Sequence, residues 1–231
     1  MLHWQNPARS GKVISLDAIR QDQGSIDDTI DLMGARMRFA RNAEVFGEGE
    51  PAEYLYKVVS GAVRISKLMS DGRRQIGAFY LTGDVFGLEP EAAHHFSAET
   101  IVDSEILIIR RSALMSDATR NSDVIAQLWN QTIAHLQRAQ EHMLLLGRKN
   151  AQERIVAFLL DMSKRLSTKL AVELPMSRQD IADYLGLTME TVSRTLTQLE
   201  RDGIISIPVS RRILLRDPAA LDEINDDCLA A

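Results

Sequence analysis

The chain has 231 residues, 45% hydrophobic and 26% charged, the composition of a soluble globular protein long enough for two domains. A net charge of −5 argues against a protein that coats nucleic acid indiscriminately. The single cysteine, Cys228, excludes an internal disulfide, a cysteine-rich zinc site and a multi-cysteine iron–sulfur cluster, and is expected to be a bystander thiol.

Residues 1–25 are mixed and polar and are expected to form a mobile N-terminal arm. Residues 26–118 change character. Short β-prone runs, Glu53–Val59, Ala62–Leu68, Gln75–Tyr80 and Glu105–Ile109, are punctuated by Gly61, Asp71-Gly72 and Gly83-Asp84. Many short strands at regular intervals predict a sandwich or roll.

A long helix is predicted over about Ser122–Leu146, within a segment taken as 119–147. Its Trp129, Thr132, Leu136, Ala139, Met143 and Leu146 step by alternating threes and fours, the spacing of a coiled-coil seam, so a homodimer is expected. Ala139 puts a small neutral residue where a charge would disfavour pairing. Gly147 and Arg148–Asn150 read as a hinge into a second helix, Ala151 to about Ser167.

The most informative stretch is Ser177–Glu200, inside a unit taken as 148–218. Ile181, Leu185, Leu187, Val192, Leu196 and Leu199 recur at spacings that bury one side of each of two short helices. Gly186 stands where the first helix must turn, and Thr188 is placed to cap the second. Glu190, Ser193, Arg194 and Thr197 then share the outer face at i, i+3, i+4 and i+7. The following runs, Ile204–Ile207 and Arg211–Arg216, predict a β-hairpin wing. Arg178, Arg194, Arg201, Arg211, Arg212 and Arg216 cluster here, so the local field is basic although the total is acidic. Residues 219–231 are taken as a C-terminal tail.

The order of parts and several local motifs resemble the Crp/Fnr superfamily of bacterial transcription regulators, from about Glu44 to Pro218. Phe46-Gly-Glu-Gly-Glu50, Val59-Ser-Gly61 and Phe79–Gly87 are similar to its β-roll signatures, and Arg148–Arg154 and Leu185–Arg194 to the Fnr branch. The resemblance implies an α+β protein: a β-roll (jelly-roll, cyclic-nucleotide-binding-like) domain, a long dimerisation helix and a C-terminal winged helix-turn-helix. It also implies a two-fold dimer on double-stranded DNA, at a near-palindrome of the TTGA-N6-TCAA kind with half-sites about one helical turn (~34 Å) apart. Arg194 can fork onto guanine O6 and N7, Glu190 can accept from a cytosine amino group, and Ser193 can add a base contact. Arg178 and Arg212 are expected on phosphates, with further DNA contacts from Thr188, Met189, Thr191 and Thr197.

Cyclic-nucleotide members of the superfamily use a glycine-rich loop, a glutamate for the ribose and an Arg-Ser or Arg-Thr pair for the cyclic phosphate. Gly87-Leu-Glu89 echoes the loop, but His94–Glu99 holds no arginine, and a buried phosphate without a cation is costly. A haem-responsive regulator is the other alternative weighed, because His3, His94, His95, His135 and His142 each offer an imidazole. The chain resembles the FixK-type subgroup, and the resemblance implies a regulator with no cofactor and no metal that activates genes for oxygen-limited metabolism such as nitrogen fixation.

RNA polymerase is an expected partner through the Asp71, Gly72, Arg73 turn, which resembles a family activation loop. Leu229, Ala230 and Ala231 are similar to the ending of bacterial degradation tags, so a bacterial protease is a further expected partner; a frayed helix end is the alternative. No apolar run approaches a membrane span and the N-terminus lacks a signal-peptide layout, so a cytoplasmic protein with no membrane contact is expected. No catalytic constellation stands out, and an enzyme is not expected. A ligand-binding module without a transcriptional role is the rival from a different class.

Overall fold

The computed structural model describes residues 34–118, 122–166 and 171–226. Two four-stranded antiparallel sheets face each other in the N-terminal part. One runs β1 (Ala35–Phe39), β8 (Ser104–Arg110), β3 (Tyr54–Ser60), β6 (Val85–Phe86). The other runs β2 (Glu44–Phe46), β7 (Ser97–Thr100), β4 (Ala62–Leu68), β5 (Arg74–Leu81). Phe46, Tyr56, Val58, Val63, Phe86, Ala98 and Ile106 fill the space between them. This is the expected β-roll, with the four predicted runs placed on β3, β4, β5 and β8. The remaining strands have two to five residues, too few alternations to read as strands.

Helix α1 (Arg111–Ala118) leads to α2 (Ser122–Arg148), 27 residues and so about 40 Å long. Its inner face packs on the roll: Val124 is fully buried with Leu55, Leu107, Ile109 and Leu114. Its outer face leaves Ile125, Trp129, Ile133, Leu136, Met143 and Leu144 exposed. The helix runs through Gly147 and Arg148, so the expected hinge narrows to its last two residues, Lys149–Asn150. Asn150 starts α3 (Ala151–Arg165) as a capping box with Glu153, which stops one helix and begins the next at the same place. Among the described residues no helix is long and apolar enough to cross a membrane.

The C-terminal part continues with β9 (Ala171–Glu173), α4 (Arg178–Leu185), α5 (Met189–Arg201), β10 (Ile205–Val209), β11 (Arg212–Leu215) and α6 (Pro218–Asp226). The wing is a three-stranded sheet, β10-β11-β9, because β9 adds to the expected hairpin. Residues expected to begin a tail instead form α6, whose Leu221 is buried against the α3 side of the core. The α3–α4–α5 core also runs without a break into Ala62, Ile76, Phe79, Leu81 and Ile101 of the roll. Phe79 meets Phe158 and Tyr184 at centroid distances of 6.2 and 5.1 Å. Apolar burial joins the two domains as well as the connecting helix. The arm at 1–25, Cys228 and the Leu229–Ala231 ending lie outside the described residues.

Candidate nucleic-acid interface

Ser177 caps α4, accepting from the Asp180 amide at 3.1 Å, while the Asp180 carboxylate returns to the Ser177 amide at 3.0 Å. Gly186 ends α4 with φ +63°, the left-handed conformation that glycine adopts without a Cβ penalty. Thr188 caps α5, its Oγ1 accepting from the Thr191 amide at 3.1 Å. Val192, Leu196 and Leu199 are buried against Ile181, Ala182 and Leu185, which leaves one edge of α5 outward.

On that edge Glu190 and Arg194 form a pair at 3.1 Å with side chains 83% and 72% exposed, so both are free to exchange each other for a ligand. Arg178 donates to Ser193 Oγ at 3.2 Å, which brings the second helix's edge to the start of the first. Thr197 Oγ1 donates to the Ser193 carbonyl at 2.9 Å, and the Thr188 and Thr191 hydroxyls meet at 2.9 Å. Met189 opens α5 with an exposed apolar side chain. The structure thus assembles Arg178, Met189, Glu190, Ser193, Arg194 and Thr197 on one surface. Arg212 is placed apart from them. It lines a cleft of about 610 Å³ between wing and roll, together with Glu173 and Arg165. Arg211, in the turn just before β11, lines both that cleft and the groove beside Arg178.

Of the six expected seam residues, Trp129, Thr132, Leu136, Ala139 and Met143 lie exposed on the outer face of α2. Leu146 does not join them: it is half-buried and packs on the C-terminal core. Ile125, exposed one turn before Trp129, continues the stripe at its other end. Asp71, Gly72 and Arg73 form the β4–β5 hairpin tip, where Asp71 accepts from the Arg73 amide at 3.0 Å and Nε at 2.7 Å. Those hydrogen bonds hold the Asp71 carboxyl below its usual range.

Inside the roll, Phe46 stacks on His94 at 3.6 Å, Tyr56 on Phe86 at 5.1 Å and Tyr80 on Phe86 at 5.1 Å. His135 of α2 approaches Tyr80 at 5.3 Å. Burial pushes the Tyr56 and Tyr80 phenols up to about 12. Gly87 has φ +80°, and a Cβ there would lie 2.7 Å from the Tyr56 ring. Packing against Tyr56 accounts for this glycine. The loop after it is held by the chain itself: Glu89 meets His95 Nδ1 at 3.1 Å, and Arg111 donates to the Glu89 carbonyl at 2.7 Å.

The two halves match two known families, the cyclic nucleotide-binding domain over residues 36–121 and the Crp-like helix-turn-helix domain over 153–224. The nitrogen fixation regulation protein FixK of Azorhizobium caulinodans is 54% identical over 198 residues, 84% of this chain and 80% of that protein. The chain belongs to the Crp/Fnr superfamily, as a FixK-type regulator. FixK of Rhizobium meliloti is 42% identical over 178 residues, 77% of this chain and 81% of that one. The structure of FixK2 from Bradyrhizobium japonicum superimposes with a TM-score of 0.79 at 49% identity, covering 83% of this chain and 97% of that one. The FixK-type chain is accordingly a DNA-binding transcription regulator of a family of regulators rather than of enzymes.

Sequence reasoning missed the ionic contacts that hold this FixK-type reading head against the roll. Asp180 Oδ1 accepts from Arg64 Nη1 at 3.1 Å and from Arg74 Nη2 at 2.8 Å. Arg74 Nε also donates to Asp183 at 2.8 Å, and Arg64 is balanced by Glu99 at 2.9 Å. Burial alone would raise the Asp180 carboxyl, but the Ser177 hydrogen bonds and the two guanidinium groups outweigh it and hold the group low. Asp84 bridges Arg138 of α2 at 3.3 Å and Arg165 of α3 at 2.9 Å. The Ser177-x-x-Asp180 spacing signals the cap. Partners more than a hundred residues away leave no local signal.

Proposed function

We propose that this FixK-type regulator binds a TTGA-N6-TCAA-like near-palindrome as a homodimer without a bound cofactor, and activates genes of oxygen-limited metabolism. The observation that carries the reading is the exposed Glu190–Arg194 pair on the free edge of an otherwise buried helix-turn-helix. In the bound state Arg194 turns to guanine O6 and N7 and Glu190 to a cytosine amino group. Arg178, Arg211 at the wing turn and Arg212 at the start of β11 supply phosphate contacts. The FixK names of the relatives at 54% and 42% identity support nitrogen fixation among the controlled processes.

The exposed stripe Ile125, Trp129, Leu136 and Met143 supports the dimer, since a row of large apolar side chains along one helix face gains by burial against a second copy. The residues of the roll do not fit a cyclic nucleotide. Tyr56, Tyr80, Phe86, Phe46 and His94 pack on one another inside the roll. Glu89 is engaged by His95, and the segment His94–Glu99 offers no cation for a phosphate. Asp71, Gly72 and Arg73, projecting at a hairpin tip beside exposed Leu68 and Met69, are the proposed contact with RNA polymerase. The Leu229, Ala230, Ala231 ending is proposed as a degradation signal, and changing Ala230 and Ala231 to Asp should lengthen the protein's lifetime in cells.

The deciding experiment is fluorescence anisotropy in air, without added cofactor, on the palindromic duplex and a scrambled control at one salt concentration. Binding that prefers the palindrome supports the reading. Equal binding to both, or none, rejects it, and titration with cyclic AMP and haem then separates the two effector-dependent alternatives.

A further inference from the structure

We propose that Asp180 is a positioning residue through which the β-roll holds the reading head in its DNA-binding pose, so that the chain's own side chains do what an effector would otherwise do. This rests on the cofactor-free reading above and supplies its physical basis.

The two oxygens of this carboxylate face different domains. Oδ2 accepts from the Ser177 amide at 3.0 Å and the Ser177 hydroxyl at 2.7 Å, which fixes the first turn of α4. Oδ1 accepts from Arg64 at 3.1 Å and Arg74 at 2.8 Å, both on the β4–β5 ribbon of the roll. The Asp180 side chain is only 5% exposed and that of Arg64 only 10%. A buried ion pair of this kind resists separation, because removing one member leaves an uncompensated charge in a place water does not reach. Arg74 extends the grip to Asp183, one turn further along α4. Glu99 takes the remaining donors of Arg64, so the two arginines face three carboxylates and none of the five charges stands alone.

The side on which the roll grips decides what the grip does. Asp180, Asp183 and Tyr184 face the roll, whereas Glu190 and Arg194 on α5 are exposed. The contact therefore leaves the reading edge uncovered, as positioning requires and autoinhibition does not. A dimer that reads both halves of a palindrome needs its two heads at one separation and one rotation. Heads that swing freely pay for that alignment at each binding event, and heads fixed beforehand do not. A second fastening points the same way: Asp84, in the β5–β6 turn, is bonded to Arg138 on the dimer helix and Arg165 on α3. Roll, dimer helix and head are thus tied by charge at two separate places.

Since Asp180 also caps α4, its own substitution would disturb the helix, and the test is made from the roll side. Arg74→Glu removes the bonds of Arg74 to Asp180 and Asp183 and sets a like charge against both carboxylates, leaving Arg64–Asp180 and the residues of the reading head unsubstituted. The full palindrome and a duplex with one half-site are titrated by anisotropy with the wild-type chain, with Arg74→Glu, and with Arg74→Glu combined with Asp183→Arg. The expected result is a loss of about tenfold or more on the palindrome for Arg74→Glu, with half-site affinity kept within about twofold. The combined variant should recover most of the loss by reversing the pair. A variant that merely destabilised the protein would lose both duplexes alike and would not be rescued.

If the wild-type chain prefers the palindrome and Arg74→Glu prefers it equally, the positioning role is overturned while the cofactor-free reading stands. Tighter palindrome binding by Arg74→Glu also overturns it, making the contact a brake. Parallel losses on both duplexes, or no recovery in the reversed pair, reduce the contact to ordinary stability and overturn it too. A wild-type chain without palindrome preference overturns both readings together.

Discussion

His142 of α2 lies flat on Tyr184 of the helix-turn-helix, ring centroids 3.9 Å apart and planes 8° from parallel. Its Nε2 is 2.9 Å from the Tyr184 carbonyl, which can only accept, so the imidazole carries its proton on Nε2 there. The contact is a direct joint between α2, with its exposed apolar stripe, and α4 of the helix-turn-helix. Arg154 reinforces it from the other side, donating to the carbonyls of Leu146 and Lys149 at the end of α2 and of Leu185 at the end of α4.

Three buried or half-buried histidines, His94 inside the roll and His135 and His142 on α2, give a pH dependence of stability. Burial lowers His94, His142 and, to about 4, His135, where Arg138 adds to the effect. The unfolded chain takes up protons near the ordinary value of about 6.5, before the folded one does, so stability is full above that pH and falls as pH drops toward 4. The thermal midpoint should decline by several degrees between pH 7 and pH 5, and His135→Leu should flatten the decline. An unchanged slope in His135→Leu, followed by circular dichroism, would count against the assignment.

Arg194→Ala should cost roughly 1–3 kcal/mol in binding to the palindrome and remove the preference for guanine at the contacted position. Glu190→Ala should relax the position paired with it. Anisotropy on single-base variants of the duplex reads both; equal losses on matched and scrambled DNA would show that these side chains do not read bases.

Leu136→Asp together with Met143→Asp should give a monomer at micromolar concentration by analytical ultracentrifugation. Both side chains are exposed within one subunit, 53% and 65%, so the subunit itself should keep its fold. A dimer that survives both charges would place the interface elsewhere.

Leu221→Ala should destabilise the C-terminal domain by about 2–5 kcal/mol in urea unfolding, the range for truncating a buried leucine. Leu221 is fully buried on α6, in a stretch that composition alone assigns to a tail. A change within about 0.5 kcal/mol, as for a surface position, would detach α6 from the core.

The amino-acid sequence by itself determined the elements whose causes are local. Ser177, Gly186 and Thr188 announce where two helices begin and turn, and Val192, Leu196 and Leu199 announce which side of the second is buried, which leaves Glu190 and Arg194 outward. The outer stripe of α2 was legible for the same reason, since its period is carried by neighbours three and four residues apart. Tertiary structure alone decided where Leu146 turns, which wing arginine flanks Arg178, that Pro218–Asp226 is helical and packed, and that Asp180 answers to Arg64 and Arg74. Each depends on groups far apart in the chain, 116 residues in the case of Arg64 and Asp180. A helix period records which face is apolar but not what covers it, and a charge in sequence does not name its counter-charge. Only the folded chain brings those partners within hydrogen-bonding distance.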